Sequence, residues 1–353
     1  MIDNTKIIEE FSLQHIYLDY CRMCLISIIE FADKEKLSTE KIDFNSDKDM
    51  LTYDSICKSE NENAEQWLMN NGYKDIMYRF YYKHLFFSLL VDFSNYYIAS
   101  IDMAFKGNIN VAWALLRKPF QETLAYFEWL CVNKEELLEL MIEGNDVSKY
   151  ETMSAKLKDK RKAHIDQIQA KRGSGPIDMF DFRYSYKNEF TLNGILQATN
   201  HLITTRPALK TSPSGLNYIF PNDDIIERSI GFYYNAVPYT MLYAMDIIMK
   251  MFADIAKLGD YTVIVNRLNL HLKNLCSMKA TFEKAKELMG LDEFAIYYPK
   301  CGAKHSSDEM WIEFVCEHFE CEHCESTINT HQYIFDFESI EFVNNETEDE
   351  ING

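Results

Sequence analysis

Between residues 85 and 131 the apolar positions recur at steps of three and four. Leu90, Phe93 or Ser94, Tyr97, Ile101 and Phe105 make one such row, and Trp113, Leu116, Phe120, Leu124, Phe127 and Cys131 make a second. That period is the stripe of a buried helix, so the stretch predicts two long helices. Gly107-Asn108 lies between the rows and suits a left-handed C-cap, where a Cβ is penalised least. So short a connection makes the helices antiparallel neighbours. The second, near 25 residues, would be on the order of 37 Å long. Pro119 removes a backbone donor inside it and should kink it near Leu115 to Lys118.

The same reading extends to most of the chain. Residues 5–31 alternate as an amphipathic helix through Phe11, Leu18, Leu25 and Ile28. Residues 32–62 are polar and without a clear period, a loop or short helices. Helical spacing resumes over 63–84 with Trp67, Ile76 and Phe80, and continues as charged helix over 134–172. Gly173-Ser174-Gly175-Pro176 marks a flexible break. A short helix over Leu192 to Leu202 follows, then a loop from Lys210 to Phe220. Asn222-Asp223-Asp224 is a good N-cap for a helix running to Lys257, which Pro238 should kink or split. A last long helix is expected over 260–289, closed by Gly290.

The pattern changes from Phe294. Trp311 to Val315 and Tyr333 to Phe337 alternate like short strands, and Cys321-Glu322-His323-Cys324 lies between them. A C-x2-C turn points two thiolates at one centre, and zinc takes four Cys or His ligands in a tetrahedron. Phe294 to Gly302 resembles the first knuckle of a zinc ribbon, with Cys301 in place, but Tyr298 stands where its other cysteine would be. His305 then completes the expected set of Cys301, His305, Cys321 and Cys324, with Cys316, His318, His323 and His331 as rivals for the fourth place. A closed four-ligand site is structural. The expected organisation is therefore mainly α: a multi-helix, bundle-like body over 1–292, a zinc-ribbon-like β module over 293–340, and an acidic tail over 341–353.

Composition narrows the function classes. Hydrophobic residues make up 47% of the 353, and Gly and Pro number only 12 and 7, which disfavours a turn-rich β sandwich. The formal net charge of −19 repels a polyphosphate, so nucleic acid is not an expected partner of the surface at large. The one basic stretch, Lys156 to Arg172, is the exception; a solvated helix face is its simpler reading. No long apolar run follows Met1, and Asp92, Asn95, Asp102 and Lys106 interrupt the most apolar stretch. Neither a secretory signal nor a membrane span is therefore expected. Nine cysteines without such a signal read as reduced, cytosolic thiols and metal ligands, with Cys21 and Cys24 as small core residues.

Few residues carry candidate chemistry. Arg117 falls among Leu115, Leu116 and Phe120, so a buried ion pair with Glu122, Glu128 or a neighbouring carboxylate is expected. His201, beside Asn200 and Thr204-Thr205-Arg206, is either a capping residue or an acid–base group lacking a nucleophile nearby. Arg79 and His84 match R-x4-H. Positions five apart on one helix point about 140° apart, so that pair could act together only in a cleft between protomers of a homodimer.

Two resemblances follow from these residues. Gly107, Ala112, Leu115, Leu116, Arg117 and Glu122 form G-x4-A-x2-L-L-R-x4-E, which resembles the helix pair of an uncharacterised family of bacterial all-helical proteins. More loosely, the chain resembles abortive-infection and HEPN-type helical domains, some of them ribonucleases. That family carries no assigned chemistry; the residues lead to the expectation of a cytoplasmic helical protein that binds a partner protein or small ligand, and the resemblance implies a stress or phage-defence setting. The second implies a metal-independent ribonuclease using Arg79 and His84.

Overall fold

The computed structural model describes residues 4–59, 63–144, 146–172, 177–186, 191–205, 210–217, 223–280 and 284, and then 294–298, 303–305, 318–320, 323–325, 327–329 and 341–344. The chain is mainly helical. The long helices are α1 (Asn4–Lys34), α4 (Lys74–Phe105), α6 (Leu124–Ile142), α7 (Lys158–Arg172), α10 (Asp223–Ala256) and α11 (Asp260–Ser277). The shorter ones are α2 (Asp47–Cys57), α3 (Ala64–Asn70), α5 (Ile109–Arg117), α8 (Met179–Tyr184) and α9 (Leu192–Asn200).

The core is built on α4. Of the expected stripe Leu90, Phe93, Ser94, Tyr97 and Ile101 are buried and Phe105 is half-buried, and Phe86 and Ala104 extend the buried row. They pack on α1, α5 and α6. The α4–α5 turn forms as the sequence predicts. Gly107 has φ +76°, Gly107 N donates to Ala104 O at 2.9 Å, and Asn108 N donates to Met103 O at 2.8 Å. This is the 6→1 and 5→2 pattern of a Schellman cap. Polar groups caught in the core find partners. Ser100 Oγ donates to Ala112 O and lies 2.8 Å from Tyr233 Oη, and Tyr97 Oη donates to Leu18 O. A second, smaller core gathers Leu68, Tyr73 and Met77 where α2 and α3 fold over the start of α4. Cys21 and Cys24 are buried, as expected, and burial pushes the Cys24 thiol up to about 12.

Two local expectations take a definite form and a third is corrected. The irregularity expected at Pro119 takes the form of a π turn over Lys118–Thr123. With no N–H on Pro119 the ladder shifts by one, and Leu124 N donates to Pro119 O. Pro238 lies inside α10 without splitting it, and its carbonyl accepts from Asn274 Nδ2 of α11. Helix α11 ends at Ser277, short of the end expected near Gly290, although Lys284 is again helical. Lys279 takes the left-handed position at φ +59°, with Ala280 N donating to Leu275 O. Gly290 and the 173–176 break lie outside the described residues.

In the C-terminal part, β1 (Phe294–Tyr298) pairs antiparallel with β2 (Ala303–His305) and β5 (Glu341–Asn344). Strand β3 (His318–Glu320) pairs antiparallel with β4 (Thr327–Asn329), Phe319 opposite Ile328. Glu341–Asn344 is therefore strand rather than tail, which the strand-favouring Phe342 and Val343 allow. The strands expected over 311–315 and 333–337 lie outside the described residues.

Candidate functional site

Two polar regions lie within the helical body. The first sits behind the π turn. Arg183 of α8 is fully buried; its Nε donates to Phe120 O at 2.8 Å, its Nη2 to Tyr184 Oη at 2.8 Å, and its Nη1 to Glu128 of α6. Tyr243 of α10 also donates to Glu128 (2.9 Å), and Tyr184 Oη donates to Gln121 O (2.8 Å). Gln121 Nε2 reaches Asn193 Oδ1 at 2.9 Å, tying in α9. Burial pushes the Glu128 carboxyl above its ordinary range, and the nearby Arg183 charge pulls it back only in part. The network cross-braces the π turn to α8, α9 and α10.

The second region opens onto a cavity of about 400 Å³ between α1, α6, α7, α10 and α11. Its apolar walls include Ile28, Ile168, Phe252 and Val263. Asp246 of α10 lies in the wall, its side chain only 10% exposed. His271 of α11 donates from Nε2 to Asp246 Oδ2 at 2.9 Å, and Arg267 Nε lies 3.6 Å from Oδ1. These two donors offset the cost of burying the carboxylate. Asn266, buried, adds an amide to the wall, and Cys131 adds a half-buried thiol. Carboxylate, amide and guanidinium on largely apolar walls are the composition of a small-molecule site.

The residues singled out from the sequence are placed elsewhere. Arg117 is not buried: its side chain is 43% exposed and its Nη2 stands 3.9 Å from Glu122, itself 40% exposed. The π turn carries this pair to the outside, and Glu128, one of its expected partners, belongs to Arg183. Arg79 is exposed and donates from Nε to Glu40 at 2.6 Å, alongside Lys83 at 2.6 Å. Burial pushes the Glu40 carboxyl up, but these two cations more than offset it and hold it below the ordinary range. His84 stacks on Phe80 and lines a different feature, a groove of about 750 Å³ between α3, α4 and the end of α6 whose lining does not include Arg79. His201 is the C-cap residue of α9, exposed, its carbonyl accepting from Asn217. Along the basic stretch, Lys160 pairs with Glu136 and sits over Trp129, Arg161 is buried on the carbonyls of Thr152 and Ser154, and Lys162 pairs with Asp166. Those charges are spent within the fold.

Of the expected zinc ligands and their rivals, Cys301, Cys321, Cys316 and His331 lie outside the described residues. His305 ends β2, His318 begins β3, and His323 and Cys324 lie in the turn between β3 and β4. Among the described residues no group of three or more His, Cys, Asp or Glu is placed to hold a metal ion.

Arg183, Asp246, Arg267 and His271 are absent from the sequence reading. Asp246 carried a usable signal: it is the lone acid in Tyr243 to Met249, a run that helical spacing buries. Comparison with protein-family models, curated proteins and solved structures finds no match to this chain. No helix among the described residues is long and apolar enough to cross a membrane.

Proposed function

We propose that the chain is a helical ligand-binding protein whose site is the cavity between α1, α6, α7, α10 and α11. One observation carries this reading: a metabolite-sized space with a nearly buried carboxylate, held by His271 and Arg267, in a wall that sets further charged groups beside apolar side chains. A cytoplasmic setting enters the proposal from the sequence, and a stress or phage-defence one through the resemblance of the 107–122 helix pair. The test is thermal unfolding against a metabolite library, with wild type and a cavity-filling Val263→Trp variant. A compound that raises Tm for wild type but not for the variant supports the site. If every stabilising compound acts equally on both, the site is wrong.

The C-terminal part is proposed to be a structural zinc ribbon. Cys324 lies in the turn of an antiparallel hairpin, where C-x2-C knuckles place their thiolates, and this favours Cys321 and Cys324 as one half of the site. Cys301 and His305 supply the other half. The purified protein should then carry about one zinc per chain, and Cys321→Ala should release it while the helical circular dichroism stays largely intact. Metal analysis finding under about a tenth of that amount, without chelator, would refute the ribbon.

A further inference from the structure

The charges at the cavity narrow its ligand, an inference that rests on the proposed site. Three cations, Lys171, Lys250 and Arg267, and three carboxylates, Asp246, Asp254 and Asp260, line it. On a chain of net charge −19 this balance is a local departure. Arg267 and Asp246 face one another at 3.6 Å. Asp260 opens α11, where a carboxylate complements the helix dipole. Lys250 and Asp254 have no such explanation.

These two stand one turn apart on α10, about 6 Å along its axis. Lys162 and Asp166 on α7 have the same order and spacing and close to 2.9 Å. Lys250 and Asp254 do not close; both are exposed, and both line the cavity. Asp254 also lies in the last turn of α10, where the dipole disfavours a carboxylate and no residue within the turn is basic. An ammonium group would satisfy both the carboxylate and the helix end. Lys250, with Lys171 across on α7, offers a carboxylate the complementary place.

We propose that the cavity binds a free α-amino acid with a large apolar side chain. The side chain lies against Ile28, Ile168 and Phe252, the ammonium meets Asp254, and the carboxylate meets Lys250 and Lys171. At about 400 Å³ the space is near the small end of the range for small-molecule sites, which fits a single amino acid.

Calorimetric titration of the full chain tests this with leucine and phenylalanine. Each is set beside its acid lacking the ammonium (isocaproate, phenylpropionate) and its amine lacking the carboxylate (isoamylamine, phenethylamine). At least one amino acid should bind at least about 10-fold more tightly than either of its fragments. Lys250→Ala should weaken that amino acid but not its amine, and Asp254→Asn should weaken it but not its acid. Both positions are exposed, so folding is not at risk. If a fragment binds as tightly as its amino acid and Val263→Trp blocks both, the zwitterion is wrong while the cavity stands. Should none of the six bind at millimolar concentration, the proposal is overturned, and the library screen alone then judges the cavity.

Discussion

Both polar regions of the helical body set an acid against an arginine and a further donor, yet they differ in what surrounds the acid. Glu128 meets Arg183 and Tyr243 in a cluster whose charged pair is fully buried and which also caps the carbonyls of the π turn. Asp246 meets Arg267 and His271 at the wall of a cavity, with Arg267 48% exposed. In the first, the charges are consumed by the fold. In the second, they are held ready at a surface that a ligand can reach. Burial, rather than residue type, separates a brace from a site.

The largest effect should come from breaking the brace. Arg183→Ala strands Glu128 in the core and leaves the Phe120 carbonyl without its donor, so about 3–5 kcal/mol of stability should be lost. The urea midpoint measures it. A double replacement of Glu128 and Arg183 by apolar residues of similar volume should cost less than Arg183→Ala alone, because no charge is then stranded. A loss under about 1 kcal/mol for the single variant would mean the network is not a brace.

The next effect lies on α7, whose inner side packs near the brace and whose Gln167 and Lys171 line the cavity. His164 is buried against Trp129. Burial, then the neighbouring Lys160, lowers its pKa to about 4. The unfolded chain therefore takes up a proton near pH 6.5 that the folded chain refuses until about pH 4. This contribution to stability is complete above pH 6.5 and declines as pH falls toward 4. After discounting for partial solvent access it amounts to on the order of 1–2 kcal/mol. His164→Phe should flatten that part of the pH–stability curve; an unchanged slope would show that another group is responsible.

Asp246→Asn removes one charge from the cavity while keeping an acceptor for His271. Because Arg267 faces solvent, about 1 kcal/mol is expected, well below the cost of Arg183→Ala. A loss as large as that of Arg183→Ala would erase the distinction between the two regions and make the cavity acid a second brace.

The helix pattern could be read because burial has a period. Phe86 to Ala104 on α4 and the Gly107 cap follow from spacing and from backbone chemistry that one sequence displays. The polar regions could not be read in the same way. Arg183 pairs with Glu128 across 55 residues, and His271 with Asp246 across 25. Such partnerships depend on how helices cross, and no local spacing encodes that. Pro119 shows the boundary within a single turn. Its missing N–H foretold an irregularity, but the partners of that irregularity, Arg183 and Tyr184 on the carbonyls of Phe120 and Gln121, come from 63 residues away.

The smallest effect is also the one that separates sequence context from burial most cleanly. Arg117 sits among leucines and phenylalanine in the sequence, and that context alone assigns it a buried ion pair. In the fold its Nη2 stands 3.9 Å from Glu122, with both side chains about two-fifths exposed. An ion pair of that kind contributes about 0–1 kcal/mol. Its Nε is nonetheless covered and without a hydrogen-bond partner, so the aliphatic stem packs on its neighbours. Arg117→Ala should therefore cost no more than about 1 kcal/mol, mostly through lost packing, and adding salt should change that cost little. Arg117→Met, which keeps the stem and drops the charge, should recover most of it. Measured beside Arg183→Ala in the same urea titration, the two arginines should differ by about 2 kcal/mol or more. Equal losses would return Arg117 to the buried role that its sequence neighbours imply.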